Sequence, residues 1–255
     1  MMDRLKAGAI RVPGADVRVV GRCASTNSVL LGERLDRPVL LAANEQTGGR
    51  GRRGRRWHSP AGCGALFSLG LPLERPAREL GGLSIVAGLA AVRALRALGA
   101  AGAALKWPND LMLGDAKLGG ILVETRARGA GSAAVVGIGV NHRKVPGLAA
   151  RLRRGVAALE DQLRPLPERN AVIGALAREL FAALRAFDAE GFGRFRDDWE
   201  ALHAHAGQRL RVRLADGRRL AGIAAGLADD GALQLRTRHG LRIVRSGSVT
   251  RARPA

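Results

Sequence analysis

The chain has no tyrosine, and aromatic residues make up 3% of its 255 positions. Lysine is almost as scarce, occurring only as Lys6, Lys106, Lys117 and Lys144. The two cysteines, Cys23 and Cys63, are too few for a disulfide framework and lack the spacing of metal ligands. His58, His142, His203, His205 and His239 are scattered without a third partner at ligand spacing, so no zinc site is expected. No run of about 18 apolar residues is found, which excludes a transmembrane helix. The N-terminus has no apolar secretion core, so a cytoplasmic protein with no membrane partner is expected. Acidic residues number 22 against 42 basic ones, leaving a formal net charge of +20.

A charge of that size ordinarily points to polyanionic partners. Here, however, 38 of the 42 basic residues are arginine, spread over every segment beside abundant alanine and glycine. That distribution reads as compositional drift rather than one basic face, and no nucleic-acid partner is expected. With 47% hydrophobic residues the chain can bury one large core, or one large and one small.

The first 20 or so residues are poorly patterned and too short for a helix-turn-helix domain. From Ser25, STNSVLLGERL predicts a helix, with the Ser25 or Thr26 side chain accepting from the free N–H groups of its first turn. VLLAANEQ (39–46) and GALFSLGLPL (64–73) predict strands, and between them lies the loop GGRGRRGRRW. Residues 79–98 carry apolar side chains at helical spacing and stop at Gly99. ALKWPNDLML, KLGGILVETR and AAVVGIGVN predict three strands. Asn170 to Asp188 predicts a long amphipathic helix, and Asp197-Asp198 a solvated helix face. After His205 short apolar alternations are punctuated by Asp216-Gly217, Asp230-Gly231 and His239-Gly240, the turns of a small hairpin-built barrel. The expected division is residues 1–204 and 205–255.

Two of the four lysines fall in KWPNDLMLGDAKLGGILVE (106–124). A lysine kept where arginine is used almost everywhere suggests a compact point charge that a planar guanidinium cannot replace. Pro108 fixes the backbone ahead of Asn109-Asp110, and Gly119-Gly120 after Lys117 allow close approach to the backbone. In the loop, Arg50, Arg52 and Arg53 are interleaved with Gly49, Gly51 and Gly54, a pattern able to wrap an anion.

Ser25-Thr26-Asn27, Gln46, GRGRRG, KWPND, KLGGIL and Gly137-Ile138-Gly139-Val140-Asn141 occur in this order. Together they resemble the catalytic core of biotin protein ligases, from about Ser25 to the C-terminus. The resemblance implies an α+β fold. A mixed β-sheet flanked by helices, of the kind found in class II synthetases, would precede a small SH3-like β-barrel. It implies a ligase without the N-terminal DNA-binding domain that some members carry. It also implies activation of biotin with ATP and Mg²⁺ to biotinyl-5′-AMP, followed by transfer to a lysine of a biotin carboxyl carrier domain, by a monomer or homodimer. By that resemblance Ser25, Thr26, Asn27, Gln46, Gly49, Arg50, Gly51, Arg52, Lys117, Gly137 and Gly139 bind biotin. Arg50, Arg53, Trp57, Lys106, Asn109, Lys117 and Asn141 meet ATP. Lys117, Arg52 and Asp110 are the catalytic residues. Asp110 either holds Mg²⁺ or accepts the proton of the incoming amine. Trp57 lies near the adenine or plugs the space behind the loop, and Lys106 faces the phosphates or pairs with an acid. The alternatives are a lipoyl or octanoyl transferase of related fold, which lacks the GRGRRG loop, and an Arg-rich nucleic-acid-binding module.

Overall fold

The computed structural model describes residues 3–251, so the outermost positions of the two expected regions, 1–2 and 252–255, lie outside it. The chain runs β1 (Asp16–Cys23), α1 (Thr26–Leu31), β2 (Val39–Gln46), β3 (Gly64–Leu73), α2 (Leu83–Ala97), β4 (Ala103–Lys106), β5 (Asp110–Leu113), β6 (Ala116–Arg128) and β7 (Gly131–Asn141). It continues through α3 (Leu148–Leu152), α4 (Arg169–Glu190), α5 (Arg196–Leu202), β8 (Arg209–Arg213), β9 (Arg219–Leu227), β10 (Leu233–Thr237), β11 (Gly240–Val244) and β12 (Ser248–Arg251). The first seven strands form one mixed sheet in the order β1-β2-β3-β7-β6-β5-β4, in which only β1 and β2 run parallel. The last five form a separate antiparallel sheet in the order β11-β10-β9-β8-β12.

Alternation along the strands decides what each face of the large sheet carries. Leu40, Ala42, Phe67, Leu69, Ala134 and Val136 point into the main core, which α2 and α4 cover. Their neighbours Val39, Leu41, Ala133 and Val135 point the other way and pack with Leu30 of α1 and with Leu35 in a smaller cluster. Farther along that second face the side chains shrink. Ser68, Gly137 and Leu122 form one cross-strand rung, and Leu66, Gly139 and Gly120 the next. The hollow left by Ser68, Gly137, Gly139 and Gly120 is where the candidate site lies.

Four local expectations need correction. DVRVVGRC forms strand β1, although no strand was expected there. It is a half-buried edge strand whose arginines pair with Asp16, Glu33 and Glu45, and its sheet partner β2 is distant in sequence, so its own pattern is weak. Helix α2 begins at Leu83 rather than near 79, because Gly82 adopts φ +81° at its start. ALKWPNDLML is two strands, β4 and β5, folded back on each other at Trp107-Pro108-Asn109. Asp198 is not simply solvated, since it pairs with Arg93 of α2.

The three Asp-Gly and His-Gly turns after His205 join β8 to β9, β9 to β10 and β10 to β11. Their glycines take φ +86°, +74° and +93°, values that favour glycine. The middle turn docks on the large sheet's region: Trp107 Nε1 donates to Gly231 O at 3.1 Å. A Cβ on Gly231 would stand 2.6 Å from Gly82 Cα, so the two glycines make the close approach possible.

Candidate functional site

A cavity of about 370 Å³ opens on the glycine face of the large sheet. Its inner wall comes from the start of α1 and from β2 and β3. Ser25 does not cap α1 with its side chain; only its backbone carbonyl accepts, from Val29 N at 3.1 Å. The first-turn N–H of Thr26 is satisfied from outside the helix by Gln46 Oε1 at 2.8 Å. Thr26 Oγ1 lies 3.3 Å from the same Gln46 oxygen and shares a shorter, 2.6 Å hydrogen bond with Ser68 Oγ. Ser68 Oγ donates to Asn27 Oδ1 at 2.6 Å, and Asn27 Nδ2 donates to Leu122 O at 3.2 Å and Glu124 Oε2 at 3.0 Å. The result is a connected chain of hydroxyls and amides, buried at Thr26, Asn27 and Ser68. Gly137 is required beneath it, because a Cβ there would collide with Asn27 Oδ1 and stand 3.0 Å from its Cγ.

The outer half of the cavity is cationic. Strand β6 makes an irregular step against β5 between Leu111 and Met112. A Cβ on Gly119 would meet Leu111 and Val140 of the core, whereas one on Gly120 would stand 3.3 Å from Lys117 Nζ. The bulge therefore puts Lys117 and Gly120, three residues apart, on the same cavity face. Lys117 Nζ pairs with the Asp110 carboxylate, and its side chain is 15% exposed. Burial lowers the Lys117 pKa, and the Asp110 charge and hydrogen bond oppose that fall. Arg154 and Lys106 stand near enough to add to it. Lys106 lines the cavity, with no carboxylate partner among the described residues. Asn109 holds the KWPND corner to β6 by donating Nδ2 to Ile121 O at 2.7 Å.

The Gly/Arg loop folds over this end. Gly51 N donates to Arg55 O at 2.7 Å and Trp57 N to Gly49 O at 2.9 Å, closing the loop on itself. Arg52 turns inward, 3.5 Å from Asn109 Oδ1, and its pKa is lowered by burial first and by the Arg53 charge second. Arg53 and Arg55 reach the other sheet's margin, donating to Ser246 Oγ at 2.8 Å and Ser248 Oγ at 3.0 Å. The Trp57 indole lies on the glycine rung: a Cβ on Gly139 would be 2.8 Å from its Cε2. Lys117 Nζ sits 5.9 Å from the centroid of that ring.

Most residues singled out by sequence thus meet around one cavity, Arg50, Gly51 and Arg53 among them. Two stand back from it. Gly49 braces the loop, where a Cβ would be 2.8 Å from Trp57 O. Asn141 donates Nδ2 to Ala157 O at 2.9 Å and Lys117 O at 3.4 Å, fixing the backbone behind Lys117. Sequence reasoning missed Ser68, Glu124 and Arg154. Ser68 had a usable signal, being a lone hydroxyl in an otherwise apolar strand. Arg154 lines the cavity from the segment after α3, and its sequence is indistinguishable from any other arginine here.

A pocket with a fixed hydroxyl–amide chain at one end, a cation cluster at the other and a basic loop across the mouth defines a site for an anionic ligand with a polar head. Residues 20–141 match the Biotin/lipoate A/B protein ligase family, and residues 205–250 match the Biotin protein ligase C terminal domain. The Bifunctional ligase/repressor BirA of Escherichia coli is 36% identical over 229 residues, covering 88% of this chain and 70% of that protein. The Biotin--[acetyl-CoA-carboxylase] ligase of Mycobacterium tuberculosis is 34% identical over 249 residues, covering 92% and 88%. The structure of biotin protein ligase from Aquifex aeolicus in complex with biotin and ATP superposes with a TM-score of 0.78 at 25% identity, covering 93% of this chain and 99% of that one. The chain belongs to the biotin protein ligase family.

Proposed function

We propose that this chain is an ATP-dependent ligase that activates biotin as biotinyl-5′-AMP and transfers it to a lysine of a biotin carboxyl carrier domain in the cytoplasm. The observation that carries the reading is the cavity's polarity. The Thr26–Ser68–Asn27 chain offers fixed donors and acceptors to a ureido ring at one end, and Lys117, Arg52 and Lys106 gather positive charge at the other. A carboxylate and a triphosphate repel each other, and preorganised cations in a partly dry site lower that cost where charge develops.

In the first half-reaction a carboxylate oxygen of biotin bonds to the α-phosphorus of ATP, and the bond to the bridging oxygen breaks as pyrophosphate leaves. Lys117 lies between the two reacting groups in this reading, and Arg52 and Lys106 face the phosphates. In the second, the carrier lysine's amine attacks the acyl carbon, AMP departs with the bonding electron pair, and the amine proton passes to a nearby base. Asp110 and Asp115 are acids of the cavity wall, and no cluster of three ligating side chains occurs among the described residues. Asp110 would be the residue to hold a Mg²⁺ that binds with ATP. Such an ion neutralises phosphate charge. The test is pyrophosphate exchange into ATP by the purified chain: exchange that requires biotin supports the reading, and exchange indifferent to biotin refutes it.

A further inference from the structure

Glu124 ends the KLGGILVE stretch and takes no part in the roles set out above, yet its two carboxylate oxygens join the two halves of the site. Oε2 accepts from Asn27 Nδ2 at 3.0 Å, and Oε1 accepts from Arg50. Arg50 also donates from NH1 to Ser28 Oγ at 3.0 Å, so its guanidinium is held between α1 and β6. Glu124 stands on a long strand paired with β7 through the Glu124–Val135 rung, a rigid place from which to hold a loop. Its side chain is 22% exposed and that of Arg50 is 44% exposed. Arg50 spends its charge on this carboxylate, whereas Arg52, two residues on, turns toward the cavity.

Closing a glycine-rich loop costs conformational entropy, and an anchor at its first arginine lowers that cost for the residues that follow. Asn27 belongs to the polar chain of the inner pocket, and Arg50 to the loop that covers the outer half. We propose that Glu124 is a positioning residue: by holding the Asn27 amide and the Arg50 guanidinium together, it couples an ordered biotin pocket to a closed loop. The coupling rests on the biotin reading given above; the latch itself does not.

The latch is tested by hydrogen exchange on the 255-residue chain without ligand, comparing wild type with Glu124→Gln. Glutamine keeps an acceptor for Asn27 and removes the charge that meets Arg50. Exchange at 49–56 is expected to quicken roughly threefold to fivefold, the size of a partly exposed ion pair. Amides of β6 and β7 should be unchanged, which separates loss of the latch from loss of fold. Arg50→Ala should give the same acceleration, and the double variant no more than either alone. Should Glu124→Gln fold poorly, Arg50→Ala breaks the same contact from its exposed side. In pyrophosphate exchange, Glu124→Gln should raise the KM for biotin by a similar factor with kcat within about twofold. Unchanged loop exchange in both single variants, or effects that simply add, overturns the latch. A biotin KM that stays put while the loop loosens overturns the coupling. Wild-type pyrophosphate exchange that ignores biotin refutes the ligase reading alone and leaves the hydrogen-exchange result standing.

Discussion

Replacing Gly137 by alanine adds one methyl group, and the geometry makes that methyl costly for biotin. The new Cβ would collide with Asn27 Oδ1 and lie 3.0 Å from Asn27 Cγ and 3.4 Å from Nδ2. The neighbour is a side chain locked at both ends rather than a free tip. Ser68 Oγ holds its oxygen at 2.6 Å, and Leu122 O and Glu124 Oε2 hold its nitrogen at 3.2 and 3.0 Å. The amide must therefore rotate or withdraw, forfeiting about two of those hydrogen bonds at roughly 1 kcal/mol each. Where biotin needs the amide back in its present position, restoring it costs about 2 kcal/mol on binding, a roughly 30-fold weaker complex. Gly137 has an ordinary backbone conformation, since it is absent from the positive-φ glycines, so alanine there adds no left-handed strain. Isothermal titration with biotin alone reads the effect, and titration with ATP serves as the control, expected to change little. Biotin affinity within about threefold of wild type would refute the packing argument, because it would mean that Asn27 does not act from the position described.

Other expectations follow from the same geometry. Lys117→Arg should lose biotin-dependent pyrophosphate exchange nearly as fully as Lys117→Ala, since a wide guanidinium beside Asp110 and Trp57 would displace the reacting carboxylate by about 1 Å, a shift that can cost on the order of 10²-fold; retention of more than a third of wild-type exchange would contradict this. Because burial lowers the Lys117 pKa, the alkaline loss of exchange that depends on its ammonium should set in below the range of a free lysine, and should shift upon Lys106→Gln, which removes a like charge. Burial pushes His203 down to about 3 and His205 down to about 4, from 6.5. These folded values lie below the unfolded one, so the unfolded chain binds more protons between them and stability falls as pH drops below about 6.5. Near pH 5 the loss should be about 2 kcal/mol per histidine, measured by urea unfolding, and His203→Gln should flatten the dependence. Residues 48–56 should exchange quickly without ligand and be protected by biotinyl-5′-AMP; equal protection in both states would speak against loop closure.

Much of this arrangement was legible in the sequence because punctuation and periodicity there agree. Strands β2 and β3 match the expected bounds, and the hairpins after His205 turn at the expected dipeptides, where only glycine relieves a positive φ. The motif residues converge on one cavity because strand alternation and the glycine rungs bring distant segments to one face. What was hidden depends on pairing between remote segments. Strand β1 owes its existence to β2, and its own half-buried pattern is weak. The Thr26–Ser68–Asn27–Glu124 chain joins a helix start to two strands, and no local rule announces it. Local rules also misled at Ser25, whose side chain makes no capping bond to α1, while Gln46 from β2 meets the Thr26 N–H. Among so many arginines, nothing in the sequence separates Arg50, held by Glu124, from Arg52, turned to the cavity.

The central claim is tested most directly by intact-mass spectrometry of a biotin carboxyl carrier domain after incubation with this chain, biotin and Mg·ATP. The account predicts one biotinyl addition per carrier, on a single lysine, absent when ATP is omitted and absent with Lys117→Ala. A carrier whose mass is unchanged under conditions where the chain is folded and binds biotin would contradict it.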